Sequence, residues 1–196
     1  MRGLGTLINI ATVAAGGLIG LYAGHRFPER VRRTIMQGIG LATVAIAVVG
    51  FEPLFDADRG LRRAVIMIAA LTVGAIVGEL LHLEERLEGL GGKLQARLGV
   101  SDSDATDLKV TSHSPFVEGF VVASTVFCVG PLTLLGSVED GLGLSIRLLA
   151  IKSTLDGITA IGFASVYGWG ALASLFTIAV VQGGFTLFAA LLDPLL

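Results

Sequence analysis

Charge is what this chain has least of. Asp, Glu, Lys and Arg together make 15% of its 196 residues, against roughly 25% in an ordinary soluble domain. Meanwhile 53% of the residues are hydrophobic and the mean hydropathy is +0.81. A chain this short cannot hide so much apolar surface in a core of its own, so a soluble globule is excluded and lipid is the expected solvent. Basic residues are also few. The net charge is −2, and the pairs Arg32–Arg33 and Arg62–Arg63 flank apolar runs, which argues against a nucleic-acid partner. One cysteine, Cys128, excludes an internal disulfide framework and a thiolate metal cluster. His25 and His113 fall in connections, so no histidine metal site is expected. No nucleotide-binding loop, Ser/His/Asp set, HExxH or paired-Cys motif occurs, so neither catalysis nor a cofactor is expected.

Glycine, by contrast, is abundant. Its 27 residues are about twice the usual share of roughly 7%, which suits helices packing closely in a membrane. A span needs about 20 mostly apolar residues. Six stretches qualify: roughly 4–24, 35–55, 64–83, 115–138, 146–166 and 170–192. The first holds only Arg2 ahead of it and is interrupted by Asn9 and Thr12, so residues 1–23 read as a span and not as a cleaved signal peptide. The expected fold is therefore an all-α polytopic membrane bundle of about six helices, one integral membrane domain over residues 1–196. Its parts are a first helical half 1–83, a connector 84–114 and a second half 115–196.

The connector opens with LEERLEGLGGKLQARL, in which Leu83, Leu87, Leu90, Leu94 and Leu98 recur at helical spacing. This is an amphipathic stripe, expected at the membrane interface and broken near Gly91–Gly92. The acidic linker SDSDATD, residues 101–107, follows. Lys and Arg number eight in the first, third and fifth connections against five on the other side, which favours an outside N-terminus. Three helices on either side of the connector would be related by inversion, a common transporter plan. GIGLATVAIAVVGF (38–51) and DGITAIGFASVYG (156–168) are alike, but too faintly to establish such a repeat.

Two departures from apolar packing stand out. In the fifth stretch Asp156 lies ten residues from Ile146, about 15 Å along a helix and so near the bilayer midplane. A carboxylate there costs about 2.5–3.5 kcal/mol on insertion scales. Lys152 is four residues earlier on the same face, and Thr159 continues it. One reading is an ion, proton or substrate site, with Asp156 the charge and Lys152 its partner. The plainer one is an intrahelical pair that neutralises itself, with Lys152 reaching for the nearer surface. In the fourth stretch Gly130–Pro131 interrupts the helix, because proline lacks an amide donor and clashes with the preceding turn. Backbone freed there could line a solute path; alternatively it is a packing kink, with Ser124, Thr125 and Thr133 satisfying the freed groups. Glu118, after Ser114 and Pro115, fits an ordinary helix start, or else a pathway entrance. Glu79, near His82 and Arg86, reads as interfacial. Asn9, Gln37 and Gln182 are amides in apolar stretches, most simply interhelical glue. Gly16, Gly20 and Gly24 form one small-residue ladder, and Ala70, Gly74 and Gly78 another. Both are helix-packing faces, between helices or between protomers of a homodimer.

GTLIN at 5–9, Gly16–Gly17, PER at 28–30, GELLHLEERLEGLG at 78–91, VEGFVVAS at 117–124, FCVGPLTLLGS at 127–137 and IKSTLDG at 151–157 together resemble the domain-of-unknown-function 554 family (DUF554), the YqgA/YdfK-like bacterial membrane proteins. The resemblance implies a multipass protein of the bacterial inner (plasma) membrane, often described as a transporter with no assigned substrate. Family members continue with further hydrophobic sequence where this chain stops at LLDPLL, as a naturally short member or a truncated one. A transporter or channel for an ion or small polar solute is the leading expectation. A non-transporting scaffold or sensor subunit is the rival.

Overall fold

The computed structural model describes residues 2–24, 26–50, 60–100 and 114–192. Every regular element among them is an α-helix: α1 (Leu4–Gly24), α2 (Glu29–Gly50), α3 (Gly60–Leu80), α4 (Leu83–Leu98), α5 (Pro115–Cys128), α6 (Pro131–Gly141), α7 (Arg147–Tyr167) and α8 (Trp169–Leu192). The expected stretches 4–24, 146–166 and 170–192 match α1, α7 and α8 to within about a residue, the ordinary uncertainty of helix ends. The second begins earlier than expected, at Glu29, because charged Arg30, Arg32 and Arg33 continue the helix below its apolar part. His25, His113, the acidic linker and residues 51–59 lie outside the described residues.

The fourth stretch is not one helix. It is α5 and α6, bent by 60° at Val129–Gly130. Pro131 has no N–H to give the Phe127 carbonyl one turn back. The Thr133 hydroxyl donates to that carbonyl instead, at 3.3 Å. Of the three hydroxyls expected at the break, Thr133 is the one bonded there; Ser124 pairs with Thr177 across to α8, at 2.9 Å, and Thr125 is exposed. The predicted interruption at Gly91–Gly92 is overturned too, since α4 runs unbroken through it. Gly91 is buried against the Phe120 ring of α5, 3.0 Å from where a Cβ would stand. Close packing against a neighbour outweighs the poor helix propensity of glycine.

Four helices, Leu4–Gly24, Leu61–Leu80, Arg147–Tyr167 and Trp169–Leu192, are long and apolar enough to cross a membrane, and the bent pair α5–α6 passes the same test together. The interior is built by α1, α5, α7 and α8 around Val13, Phe127, Phe163, Ala171 and Ile178. The Phe127 and Phe163 rings are 5.8 Å apart and tilted, a favourable aromatic geometry. At the opposite extreme, none of the apolar window of α3 is buried.

Helix ends are tied by side chains from the next element. Arg32 of α2 donates through Nε and Nη2 to the Gly24 carbonyl at the end of α1, at 3.2 and 2.9 Å, a cation where the helix dipole favours one. Ser114 caps α5 by accepting from the Val117 N–H at 3.3 Å, and its hydroxyl donates to Gln95 of α4 at 2.8 Å. The connector is thereby fixed to the second helical half.

Candidate functional site

The site begins with a spacing. Residues four apart share a helix face, and Lys152 and Asp156 of α7 are both buried, at 5% and 8% exposure. The Lys152 ammonium donates to Asp156 Oδ2. What lies against this face is decided by glycine. On α1, Gly16, Gly20 and Gly24 meet the backbone of α7 at Gly157, Ile161 and Ser165, so closely that a Cβ at any of them would strike it. With the two backbones in contact, Asn9, further back along α1, reaches the pair. Its Nδ2 donates to Asp156 Oδ2 at 3.1 Å and to Gln182 Oε1 of α8 at 2.8 Å.

A buried polar chain continues from there. Gln182 Nε2 donates to the Thr6 hydroxyl at 3.4 Å, and the Thr6 and Thr186 hydroxyls share a bond of 2.9 Å. Thr6 also ends on Asp140 of α6, whose two carboxylate oxygens accept from the Gly5 and Thr6 amides, each at 3.2 Å. These are first-turn amides of α1, which have no partner within the helix. Side chains from α1, α6, α7 and α8 thus form one seam through an otherwise apolar interior. Asn9 and Gln182 are fully buried. Two atoms in these helices stay without a hydrogen-bond partner, Asn9 Oδ1 and Ser137 Oγ.

The expected residues divide. Lys152, Asp156 and Asn9 come together, with Thr159 half-buried almost one turn beyond Asp156. Gly130 and Pro131 lie at the bend between α5 and α6. Cys128, two residues before Gly130, is a half-buried free thiol at the end of α5. Glu118 sits in the first turn of α5, at the start capped by Ser114. The second small-residue ladder is not packed: nothing stands within 4 Å of a Cβ built at Gly74, and at Gly78 only a Leu83 methyl does, at 3.9 Å. Gln37 is exposed on α2, as is Glu79 at the end of α3. No group of three or more metal-ligating side chains occurs among the described residues. Asp140, Ser137, Thr6 and Thr186 were absent from the sequence reading. For Ser137 and Asp140 the signal is a polar stripe with Thr133, at spacings of four and three on an apolar helix; Thr6 and Thr186 carry none.

An all-helical bundle with long apolar helices and an ion pair sealed in its interior is the architecture of a membrane protein. The family model described as "Protein of unknown function (DUF554)" matches residues 4–196, and the chain belongs to that family. It is similar to "Uncharacterized membrane protein YdfK" of Bacillus subtilis (strain 168), with 29% identity over 189 residues, 96% of this chain and 74% of that protein. It is also similar to "Uncharacterized protein YqgA" of Escherichia coli (strain K12), with 27% identity over 192 residues, 98% of this chain and 76% of that one. No solved structure matches.

Proposed function

We propose that this protein is a multipass transporter or channel of the bacterial inner membrane, carrying an ion or small polar solute past Asp156, and that it is not an enzyme. The observation that carries the reading is the burial of Lys152 and Asp156 together with a chain of amides and hydroxyls from two other helices, α1 and α8. A pair serving only to neutralise itself needs no such company. Polar groups inside a membrane are costly and concentrate on solute pathways. The α5–α6 bend supports the same reading, because a broken helix presents backbone beside a path. In this arrangement α1, α2, α3, α5–α6, α7 and α8 make six crossings, three on each side of an interfacial α4. The two triplets enter the bilayer from opposite sides.

The second reading, a scaffold or sensor subunit, draws on α3. Its exposed Gly74 and half-buried Gly78 offer a close-packing face to a second copy. A solute screen by thermal shift on purified protein separates the two. A ligand present at about 100 times its Kd stabilises by about 2.7 kcal/mol. For a transporter, some ion or solute raises the melting temperature of the wild type and not of Asp156→Asn. If no compound gives an Asp156-dependent shift, the scaffold reading is favoured.

A further inference from the structure

Helix α2 has two unlike faces. Ile35 and Ile39 are half-buried and meet α7 at Gly162, and Arg32, one turn earlier on that side, holds the Gly24 carbonyl. The other side is uncovered. At its foot Glu29, Arg30, Arg33 and Thr34 line a cleft of about 460 Å³. Gln37 follows one turn on, then Leu41, Val44 and Val48, all exposed. Steps of three and four residues keep these side chains in one stripe along the helix. The stripe therefore runs from cationic through amide to apolar. From residue 35 to residue 50 the helix rises about 23 Å, most of the roughly 30 Å of a hydrocarbon core. With α2 crossing the bilayer, the cleft lies at the level of the lipid headgroups.

We propose that this stripe binds an anionic phospholipid, its phosphate in the cleft between Arg30 and Arg33 and an acyl chain along Leu41, Val44 and Val48. The order of chemistry along the helix is that of the lipid itself. A charged phosphate comes first, then ester carbonyls, to which the Gln37 amide is a donor, then hydrocarbon. The proposal rests on α2 crossing the bilayer, and not on the passage of any solute past Asp156.

Charge decides the class of lipid. Between residues 26 and 34 four arginines stand against one glutamate. Arg32 is committed inward, to Gly24. Arg33 donates to Glu29 at 3.2 Å, but both side chains are well over half exposed, and such a pair is screened and worth little. Arg30 has no carboxylate partner among the described residues. The Thr34 hydroxyl donates to the Arg30 carbonyl at 2.9 Å, which leaves the two guanidiniums as the donors of the cleft. A guanidinium is a planar fork whose N–H groups match the oxygens of a phosphate. A headgroup with a phosphate and no cation neutralises the patch, whereas a choline headgroup brings an ammonium that cancels the gain.

A second copy of the chain suits this face poorly. Related by an axis along the membrane normal, two such stripes would set Arg30 and Arg33 against their own counterparts, like charges where a lipid offers opposite ones. The surplus of basic residues on this side of the bundle places the foot of α2 at the cytoplasmic leaflet. That leaflet carries the negative surface potential that attracts arginines next to a span.

The test is a titration of the purified full chain, in an uncharged detergent, with phosphatidylglycerol carrying a fluorophore on its acyl chain, read by anisotropy. Phosphatidylcholine with the same chains and label is the comparison. Phosphatidylglycerol is expected to bind at least about five-fold more tightly, in keeping with the pull of two arginines on an anionic headgroup. Arg30→Gln/Arg33→Gln abolishes that preference. Arg86→Gln/Arg97→Gln, which takes two exposed charges from α4, keeps it. Glu29→Gln removes the competing carboxylate and binds phosphatidylglycerol more tightly than the wild type, a gain that misfolding cannot produce. Equal affinity for the two lipids overturns the proposal, as do a preference that survives in Arg30→Gln/Arg33→Gln, one lost equally in the α4 variant, and no gain in Glu29→Gln. Excess inorganic phosphate that displaces the lipid beyond chloride of equal ionic strength marks a site for free phosphate and overturns it too. So does a lipid-free dimer that is lost in Leu41→Arg, which seats a second copy on the face. If the preference is absent while the chain still needs detergent, the headgroup assignment falls and the membrane reading stands. A chain recovered as a soluble monomer without detergent removes both.

Discussion

At the scale of the residue, a carboxylate with 1% exposure must find donors, and Asp140 finds two in the first turn of another helix. Asp140→Ala leaves those amides buried and unpaired, at a cost of about 1–3 kcal/mol. At about 2–4 °C per kcal/mol for a chain of this size, the melting temperature in detergent falls by several degrees. A variant that melts with the wild type would show that the contact stabilises nothing. Lys152 and Asp156 call for a different experiment. Removing one partner of a buried pair costs about 3–5 kcal/mol, whereas replacing both is often neutral. Lys152→Met is therefore expected to melt far below the wild type, and Lys152→Gln/Asp156→Asn close to it. If the doubly neutral protein folds as well and is inactive, the pair serves function; if it keeps full activity, the pair is structural.

What could be read in the sequence at this scale followed from local spacing. Lys152 and Asp156 are four apart, and an acid in the middle of an apolar run is conspicuous. Asp140 was not conspicuous, since it follows the apolar run at a place where an acid in a turn is ordinary. Asn9 and Gln182 were visible as amides, but their meeting depends on α1 and α8 crossing, which no local pattern encodes. The two threonines at 6 and 186 were invisible for the same reason.

At the scale of the element, glycine means different things at different positions. At Gly16 and Gly20 a Cβ would strike the backbone carbonyls of Gly157 and Ile161, and backbone cannot step aside as a side chain can. Gly16→Val is expected to cost at least the roughly 1–3 kcal/mol typical of overpacking, read as a lower melting temperature or loss of the monodisperse peak. Gly130 is the contrast. Its backbone is extended, with φ 172°, which any residue adopts, and nothing lies within 4 Å of a Cβ there. Gly130→Ala should stay within about 0.5 kcal/mol of the wild type; a drop comparable to Gly16→Val would refute this account of the bend. The break belongs to Pro131. The small-residue ladders were legible as faces, but which face meets another helix of the same chain was not. Gly91 shows the opposite failure: a glycine pair inside an amphipathic helix looked like a break, and the Phe120 ring supplied the reason it is not.

At the scale of the whole molecule, the apolar helices were plain from composition, since runs of about 20 apolar residues have few other uses. The 60° bend between α5 and α6 was not, because hydropathy measures apolar length and not direction. It bears on topology. If α5–α6 crosses as a bent span, a cysteine at Lys93 and one at Ser145 lie on opposite sides of the membrane; if it is re-entrant, they lie on the same side. Labelling of single-cysteine variants in a Cys128→Ala background, with a membrane-impermeant maleimide on intact and on lysed cells, is expected to give opposite sides. Label at Lys93 should require lysis, following the distribution of basic residues.

The central claim is that a solute crosses this bundle past Asp156. Flux into proteoliposomes, for whichever ion or solute stabilises the purified protein, tests it most directly. The account predicts a rate in Asp156→Asn at least ten-fold below the wild type at equal reconstitution, with Gly130→Ala near the wild-type rate. Equal rates in Asp156→Asn and the wild type would contradict it.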